Sequence, residues 1–306
     1  MEYPSYVMTT KILTPAQVEQ FIELGYTKVE QAIPPAQALA AQDFLWGKLE
    51  ARGIKRDDRS TWTDPFVRID EMLGDPVVLA CMTRRLADAV EDVVGEGRWR
   101  EYMHPRPWGF WPVNFARGAD KPWDVPFNDW HLDGADWLYT VDAPHQGLLL
   151  LCIFSQIEPR GGGTLLAEGS HQVIARSLNR HPEGIDRVAF IRQVAAEHPW
   201  LGTLTRPSPT PRLSRMRVEF FMNTIFTDAD GTRLRVVEAT GSPGDIYLCH
   251  PFIYHSTSSN HSGRPRFICN LTTPLFEKMN LARPDGNHSP LEISIRNAIG
   301  SNHRIA

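Results

Sequence analysis

The stretch Asn128-Asp129-Trp130-His131-Leu132-Asp133-Gly134 places a histidine and a carboxylate two residues apart. Strand-prone aromatic residues flank this pair, and residues i and i+2 of a strand point to the same face of a sheet. His131 and Asp133 can therefore present an imidazole and a carboxylate to one ion. One further histidine would complete a triad of two histidines and one carboxylate, which leaves three coordination positions open.

A second segment, residues 244–255, supplies that histidine. It begins with Gly244-Asp245, which is typical of a turn, and continues as an apolar run that ends at His255. Arg266 follows beyond another turn at Ser262-Gly263. We expect the strand ending at His255 and the strand beginning at Arg266 to be antiparallel neighbours, which would bring a fixed cation near the metal.

Two neighbouring residues compete for these roles. His250 lies five residues before His255, so on a regular strand the two imidazoles face opposite ways and one of them at most joins the metal. Pro251 disturbs the strand between them, so the residue pattern alone leaves both histidines open. Arg264 shares a face with Arg266, and the intervening proline favours Arg266, where the strand proper would begin.

Three motifs occur in order along residues 100–275. They are His131-x-Asp133, then Gly162-Gly163-Thr164 with Gly169-Ser170-His171, then Gly244-Asp245 through His255, Asn260 and Arg266. Their order and spacing resemble the phytanoyl-CoA dioxygenase (PhyH) family of Fe(II)- and 2-oxoglutarate-dependent oxygenases. Glu168 departs from the family pattern, which usually has proline before the Gly-Ser-His turn.

The resemblance implies a double-stranded β-helix, the jelly roll of cupin-like proteins. It also implies a site for Fe(II), for 2-oxoglutarate as cosubstrate and for O2. The family spacing favours His255 over His250, so that His131, Asp133 and His255 would be the catalytic metal ligands. Arg266 would pair with the distal carboxylate of 2-oxoglutarate, and Thr257 resembles the hydroxyl that assists this arginine.

The chemistry of these residue types agrees with the resemblance. Imidazole and carboxylate groups suit Fe(II), and arginine offers a planar, permanently charged fork to a buried carboxylate. Related halogenases have a small residue at the position of Asp133, so a carboxylate there indicates oxygenation. The expected reaction is hydroxylation of a C–H bond in a small molecule, with release of succinate and CO2.

Other reactions and roles stay open at this point. Desaturation, cyclisation and epoxidation use the same kind of iron site. A non-catalytic β-barrel that binds a ligand is the alternative outside enzymes. Trp137, Trp130 and Phe110 are candidates for contact with the substrate, and the proline-rich residues 206–211 are either a lid or a surface connection.

Composition restricts the class of protein. The chain has 306 residues, of which 42% are hydrophobic and 22% charged, with a formal net charge of -4. Charges are interspersed without long basic runs, so nucleic acid is not an expected partner. The longest apolar stretch, residues 148–154, is too short to span a bilayer, and no secretory leader is visible, which predicts a cytoplasmic protein away from membranes. The four cysteines show no paired spacing, and nothing indicates an oligomeric state.

Turn and periodicity signals predict helices first and strands later, within one oxygenase domain over residues 1–306. This pattern favours an antiparallel β-sandwich or barrel with flanking helices. We expect a helical N-terminal buttress at about 1–97, a β core at about 98–275 and a C-terminal helix at about 290–300. Helices are predicted at 15–25, 35–53, 76–94 and 184–196 and after Ser289, and strands at 26–29, 106–116, 127–133, 147–157, 164–167, 218–226, 234–238, 246–248 and 266–271.

Overall fold

Two antiparallel sheets form the centre of the protein in a computed structural model, which describes residues 10–99, 108–134, 138–207 and 216–300. In the described segments the larger sheet has the strand order β1-β8-β4-β10-β3-β2, and the smaller sheet has the order β6-β7-β5-β9. The strands are β1 (Tyr26–Val29), β2 (Phe66–Ile69), β3 (Trp111–Asn114), β4 (Leu149–Ile153), β5 (Thr164–Glu168), β6 (Phe226–Thr227), β7 (Arg233–Glu238), β8 (Ile246–Cys249), β9 (His255–Thr257) and β10 (Arg266–Thr272).

Helices flank the sheets, and several begin where the sequence signals predict. Thr14 and Ser289 each form a capping box, in which the side chain and the glutamine or glutamate three residues later satisfy backbone N–H groups at the helix start. Gly25 ends the first helix in the left-handed conformation. The helices are α1 (Pro15–Leu24), α2 (Pro35–Glu50), α3 (Pro76–Leu79), α4 (Arg84–Val94), α5 (Ser170–Leu178), α6 (Arg187–Glu197), α7 (Pro199–Leu204) and α8 (Pro290–Ile299).

Strand β4 lies in the middle of the larger sheet, and its sequence is a continuous apolar run. Leu149, Leu151 and Ile153 pack in a cluster that also contains residues of the smaller sheet, such as Leu166. Leu150 belongs to the other cluster, which contains the buried faces of the helices. Both faces of β4 are therefore covered, and every residue of the strand is buried.

The segment 244–255 is not one strand, and this corrects the expected strand pairing. Strand β8 ends at Cys249, and His250 then accepts a backbone hydrogen bond from Ile253 in a turn that contains Pro251. Strand β9 begins at His255 and pairs with β5 in the smaller sheet, whereas β10 pairs with β4 and β3 in the larger one. The strands that carry His255 and Arg266 are therefore not neighbours, because the turn sends the chain from one sheet to the other.

Residues 218–226 form a π-helical turn at Glu219–Asn223 where the sequence predicted a strand. The reason is tertiary packing: the Phe221 ring lies against Trp200, with 5.3 Å between ring centroids, and is fully buried. The helix predicted at 76–94 is divided in two, because the Thr83 hydroxyl accepts from the Leu86 N–H and caps a new helix.

Other strand predictions differ in extent. Residues 127–133 form one isolated bridge at His131 where a strand was expected. Strand β3 is shorter than the predicted strand at 106–116, of which 106 and 107 lie outside the described residues. Strand β2 was not predicted, and together with β1 it brings the N-terminal third of the chain to the two edges of the larger sheet.

All four cysteines lie in described segments, and each is buried and free of a disulfide. In the part of the chain that the structure describes, no helix is both long enough and apolar enough to cross a membrane.

The packing between the sheets predicts the effect of a core substitution. Leu151→Ala removes a side chain that is 2% exposed and leaves a cavity between the sheets, which should lower the free energy of unfolding by about 2–5 kcal/mol. Denaturant unfolding measures this loss. Leu39→Ala on α2 is the matched control, because Leu39 is 44% exposed and the same substitution there should change stability little. Equal effects of the two substitutions would contradict the assigned core.

Candidate functional site

His131 and His255 come together through their backbones. The His131 N–H donates to the His255 carbonyl at 3.0 Å, and the His255 N–H donates to the His131 carbonyl at 3.1 Å. Residues directly opposite each other in an antiparallel pair project their side chains to the same face. The two imidazole centroids are accordingly 4.3 Å apart, although the residues are far apart in the sequence.

Asp133 completes the cluster. Its Oδ1 atom lies 3.4 Å from Nε2 of His131 and 3.4 Å from Nε2 of His255. The ligand atoms of the three residues all lie within 4.8 Å of one another, and this is the group of His, Cys, Asp and Glu side chains that could hold a metal ion among the residues described. The structure thus brings together two nitrogens and one carboxylate oxygen from the three residues that the family resemblance implied.

The orientation of both imidazoles fits metal binding. Nδ1 of His131 lies 2.7 Å from the Asp129 carbonyl oxygen, and Nδ1 of His255 lies 3.1 Å from that of Ile253. A carbonyl oxygen accepts, so each Nδ1 carries the proton and each Nε2 presents a lone pair. Nε2 of His255 is buried and has no hydrogen-bond partner among the described residues, which fits a bound ion in its place.

The charges within the cluster favour an ionised carboxylate. Burial alone would raise the pKa of Asp133, but the His255 and His131 imidazoles in their protonated form outweigh burial and hold the pKa well below its usual value. Burial lowers the pKa of His131, and the neighbouring Asp133 carboxylate outweighs this effect, so the net shift is upward. Asp133 can therefore bring a full negative charge to a divalent cation.

Tyr139 and Gly134 hold the backbone of Asp133 in place. The Tyr139 hydroxyl donates to the Asp133 carbonyl, and the pair is partly buried. A Cβ atom on Gly134 would lie 1.5 Å from the Tyr139 hydroxyl oxygen, so only glycine allows this close approach. The glycine that the sequence indicated as a turn residue thus makes room for the group that positions a candidate metal ligand.

Arg217 fastens the loop that leads to His131. This buried guanidinium donates to the carbonyls of Val125 at 2.7 Å, Pro126 at 2.9 Å and Leu204 at 2.8 Å. It joins the loop to the end of α7, so the position of the candidate ligand depends on the helices as well as on the sheets. The sequence analysis missed this residue, because its partners are backbone groups on remote segments that leave no local pattern.

A cavity of about 470 Å³ lies beside the cluster, with both sheets in its wall. The smaller sheet supplies His255 and Thr257, which are two residues apart on β9 and share a face. The larger sheet supplies Arg266, Ile268 and Asn270, which alternate along β10. Arg266, the predicted cation, therefore lines the same cavity as the candidate metal ligands but comes from the opposite sheet.

Arg266 is suited to bind an anion inside this cavity. Its side chain is 1% exposed, and one guanidinium nitrogen donates to the Pro112 carbonyl at 3.2 Å. Its Nε atom is buried without a hydrogen-bond partner in the described part of the chain. Burial lowers the pKa of Arg266 to about 9, so the side chain still carries its charge at neutral pH.

The competing residues lie elsewhere. His250 is fully buried against Phe21 and His171, with ring centroids 5.9 and 4.9 Å away, and is not part of the metal cluster. Arg264 is exposed and lies 3.7 Å from Glu158. The residue pattern had left His250 open as a ligand, and the turn at 250–254 separates it from the cluster.

The candidate substrate residues divide into two groups. Trp130 and Phe110 line the cavity, as does Thr257. Trp137 lies outside the described residues, and so do residues 208–211 of the candidate lid. Glu168, the departure from the family motif, accepts hydrogen bonds from the Tyr26 hydroxyl of β1 and from Arg235 of β7, and it does not line the cavity.

Several cavity residues were not foreseen, and four of them bear on the charges and rings of the site. Phe66 and Arg68 lie two residues apart on β2, a strand that the sequence analysis did not predict, and both line the cavity. A spacing of two residues places side chains on one face of a strand, and this was the signal in the sequence that could have indicated them. Arg117 and Asp129, which both line the cavity, form an ion pair with each other. Asp129 has a φ angle of 63°, a left-handed conformation that aspartate tolerates, and its carbonyl accepts from His131.

Comparisons with known proteins give similarity at the level of solved structures. HygX from Streptomyces hygroscopicus, solved with nickel and 2-oxoglutarate bound, is 15% identical with a TM-score of 0.48, covering 86% of this chain and 87% of its own. SnoK, a non-heme alpha-ketoglutarate-dependent carbocyclase from nogalamycin biosynthesis, is 11% identical with a TM-score of 0.49 and coverages of 87% and 86%. EctD from S. alaskensis, with 2-oxoglutarate and 5-hydroxyectoine, is 15% identical with a TM-score of 0.47 and coverages of 87% and 78%. No protein-family model and no curated protein sequence matches the chain.

The contact between Tyr139 and Asp133 predicts a loss of metal affinity on substitution. Tyr139→Phe removes the hydroxyl that holds the Asp133 backbone and should weaken the binding of Fe(II) about tenfold or more, as other changes behind a metal ligand do. Anaerobic calorimetric titration measures the affinity. Tyr247→Phe is the control, because this hydroxyl also binds a backbone carbonyl, that of Thr240, but lies outside the cavity. Unchanged affinity in Tyr139→Phe would show that the hydroxyl does not position the ligand.

Proposed function

We propose that the protein is an Fe(II)- and 2-oxoglutarate-dependent dioxygenase that hydroxylates a C–H bond of a small molecule. The observation that carries this proposal is the convergence of His131 Nε2, His255 Nε2 and Asp133 Oδ1 beside the buried guanidinium of Arg266. Two histidines and one carboxylate are the donor set of non-haem Fe(II) oxygenases. We also infer a double-stranded β-helix of the PhyH kind in a single domain over residues 1–306, a proposal that the two antiparallel sheets support.

The three side chains would hold Fe(II) and leave three coordination positions for 2-oxoglutarate and O2. When bound, the iron and the cosubstrate supply the oxidation chemistry. The contribution of the chain is the rigid placement of the donors: Nδ1 of each histidine is anchored on a backbone carbonyl, and Asp133 is held by Tyr139. This arrangement directs two lone pairs and one negative charge to a single point.

Arg266 would bind the distal carboxylate of 2-oxoglutarate. Its guanidinium is buried, charged and only partly hydrogen-bonded, so a planar carboxylate can pair with the free donors. Thr257 lines the same cavity from β9 and can donate its hydroxyl to that carboxylate. The cosubstrate would then span the space between the two sheets, with one end at the metal cluster and the other at β10.

In the proposed reaction, substrate, 2-oxoglutarate and O2 give hydroxylated substrate, succinate and CO2. One oxygen atom enters the substrate and the other enters succinate. The walls of the cavity would orient one C–H bond and keep water away, with Trp130 and Phe110 as apolar contacts. Hydroxylation is the outcome that we propose over desaturation, cyclisation or epoxidation. The free, buried cysteines accord with a reducing compartment, and we infer a cytoplasmic location.

The proposal predicts turnover of the cosubstrate. Purified protein supplied with Fe(II), ascorbate and 2-oxoglutarate should release succinate, measured by chromatography coupled to mass spectrometry. His131→Ala and Asp133→Ala each remove a ligand and should lower the rate below about one-hundredth of that of the unchanged protein. His145→Ala, at an exposed histidine outside the cavity, should keep the full rate. Full turnover by either ligand variant, or none by the unchanged protein, would contradict the proposal and favour a ligand-binding β protein.

The assigned role of Arg266 predicts a selective loss of cosubstrate affinity. Arg266→Lys keeps the charge but loses the planar fork, and should raise the Kd for 2-oxoglutarate about tenfold or more. The visible band of the anaerobic Fe(II) complex with 2-oxoglutarate reports this affinity. Arg264→Lys is the matched control, because Arg264 lies two residues earlier on the exposed side and should leave the Kd unchanged. A larger effect from Arg264→Lys would reverse the assignment.

A further inference from the structure

Two arginines besides Arg266 line the cavity, and both lie at its open end. They come from different elements: Arg68 from β2, and Arg117 from the loop after β3. Each guanidinium lies over the ring of Phe66, at 5.9 Å from the ring centroid for Arg68 and 5.2 Å for Arg117. Both cations therefore lie against one aromatic ring of the cavity wall, and both could interact with an anion bound in the cavity.

The two arginines differ in their counterions. Arg117 forms an ion pair with Asp129, whose carbonyl accepts from His131. Arg68 is exposed, and no ion pair joins it to any residue that the structure describes. Its guanidinium lies over Phe66 and also over Phe110, at 5.6 Å from the second centroid. The two rings hold the cation in position, and its N–H groups donate to no residue in the described segments.

The charges of the cavity indicate the substrate class. The wall contains three arginines, while Asp129 and Asp133 supply two negative charges. A divalent metal ion and doubly charged 2-oxoglutarate cancel each other, so the three arginines and two aspartates leave an excess of one positive charge among these groups. Arg266 would be used by the cosubstrate and Arg117 is paired with Asp129, so the uncompensated charge is that of Arg68.

We propose that the prime substrate carries an anionic group, a carboxylate or a phosphate, that Arg68 binds at the mouth of the cavity. The apolar part of the substrate then contacts Phe66 and Phe110 on its way to the metal cluster. Arg117 adds positive potential from its pair with Asp129. This inference rests on the proposed function, because it assigns the Arg266 side of the cavity to 2-oxoglutarate.

Small aromatic probes test the charge preference directly. Protein loaded anaerobically with Fe(II) and 2-oxoglutarate is titrated with benzoate, with phenyl phosphate, and with benzamide, which has nearly the shape of benzoate but no charge. Calorimetry gives each Kd, and the visible band of the iron complex shows that the cosubstrate is bound. At least one anionic probe should bind about tenfold more tightly than benzamide, because a hydrogen bond to a charged group is the stronger kind. Preference for phenyl phosphate would identify a phosphate site, and preference for benzoate a carboxylate site.

Substitutions of Arg68 then test whether this residue binds the anionic group of the probe. Arg68→Gln should weaken binding of the preferred anionic probe about tenfold, to the level of benzamide, and should leave the Kd for 2-oxoglutarate unchanged. Arg68→Lys, which keeps the charge and loses the fork, should lie between the two. Arg59→Gln is the matched control, because Arg59 is also exposed and stacked on an aromatic ring, that of Trp62, at 5.5 Å, but does not line the cavity. It should leave all affinities unchanged.

Two results would overturn the inference. One is binding of benzamide as tight as that of both anionic probes. The other is an Arg68→Gln variant that loses affinity for 2-oxoglutarate while keeping its affinity for the probes, which would assign Arg68 to the cosubstrate. Failure of the proposed function is distinguishable from both, because the visible band would then not form on addition of 2-oxoglutarate to the unchanged protein.

Discussion

The reciprocal backbone pairing of His131 with His255 is the contact on which the candidate site depends. Two N–H groups and two carbonyls fix the residues opposite each other, so both imidazoles project from one face. Asp133 reaches the same point because it lies two residues beyond His131. Strand β9 is itself paired with β5, and the donor set therefore takes its rigidity from the smaller sheet. A loop and a sheet edge that are remote in the sequence thus meet at one candidate site.

The two sheets contribute different residues to the candidate site. The candidate metal ligand His255 lies on the smaller sheet and Arg266 on the larger, so the distance between them is set by how the sheets pack. Ile268 shows the connection, because it lines the cavity and also belongs to the apolar cluster that holds the sheets together. Close packing makes this distance resistant to change. The core thereby fixes the separation between the candidate metal ligands and Arg266.

Two buried polar atoms in the candidate site lower the stability of the fold when no ligand is bound to them. Nε2 of His255 and Nε of Arg266 are buried without hydrogen bonds among the described residues. Such atoms destabilise a fold unless a ligand satisfies them. A metal ion and a carboxylate would satisfy both, so their binding would stabilise the folded state. The folded protein would therefore be more stable with the candidate site occupied than with it empty.

The sequence by itself indicated His131 and Asp133 as a pair, because their spacing of two residues is a local signal, and the capping boxes at Thr14 and Ser289 are local in the same way. The residue pattern left His250 and His255 open as the third donor, and the turn at 250–254 separates His250 from the cluster. It also indicated antiparallel strands with flanking helices. It could not place His255 and Arg266 on different sheets or show the helical form of residues 219–223, since these follow from packing between remote segments. Only the tertiary structure decided that Arg68, on an unpredicted edge strand, shares a cavity with the metal cluster, because side chains far apart in the chain meet only when the sheets pack.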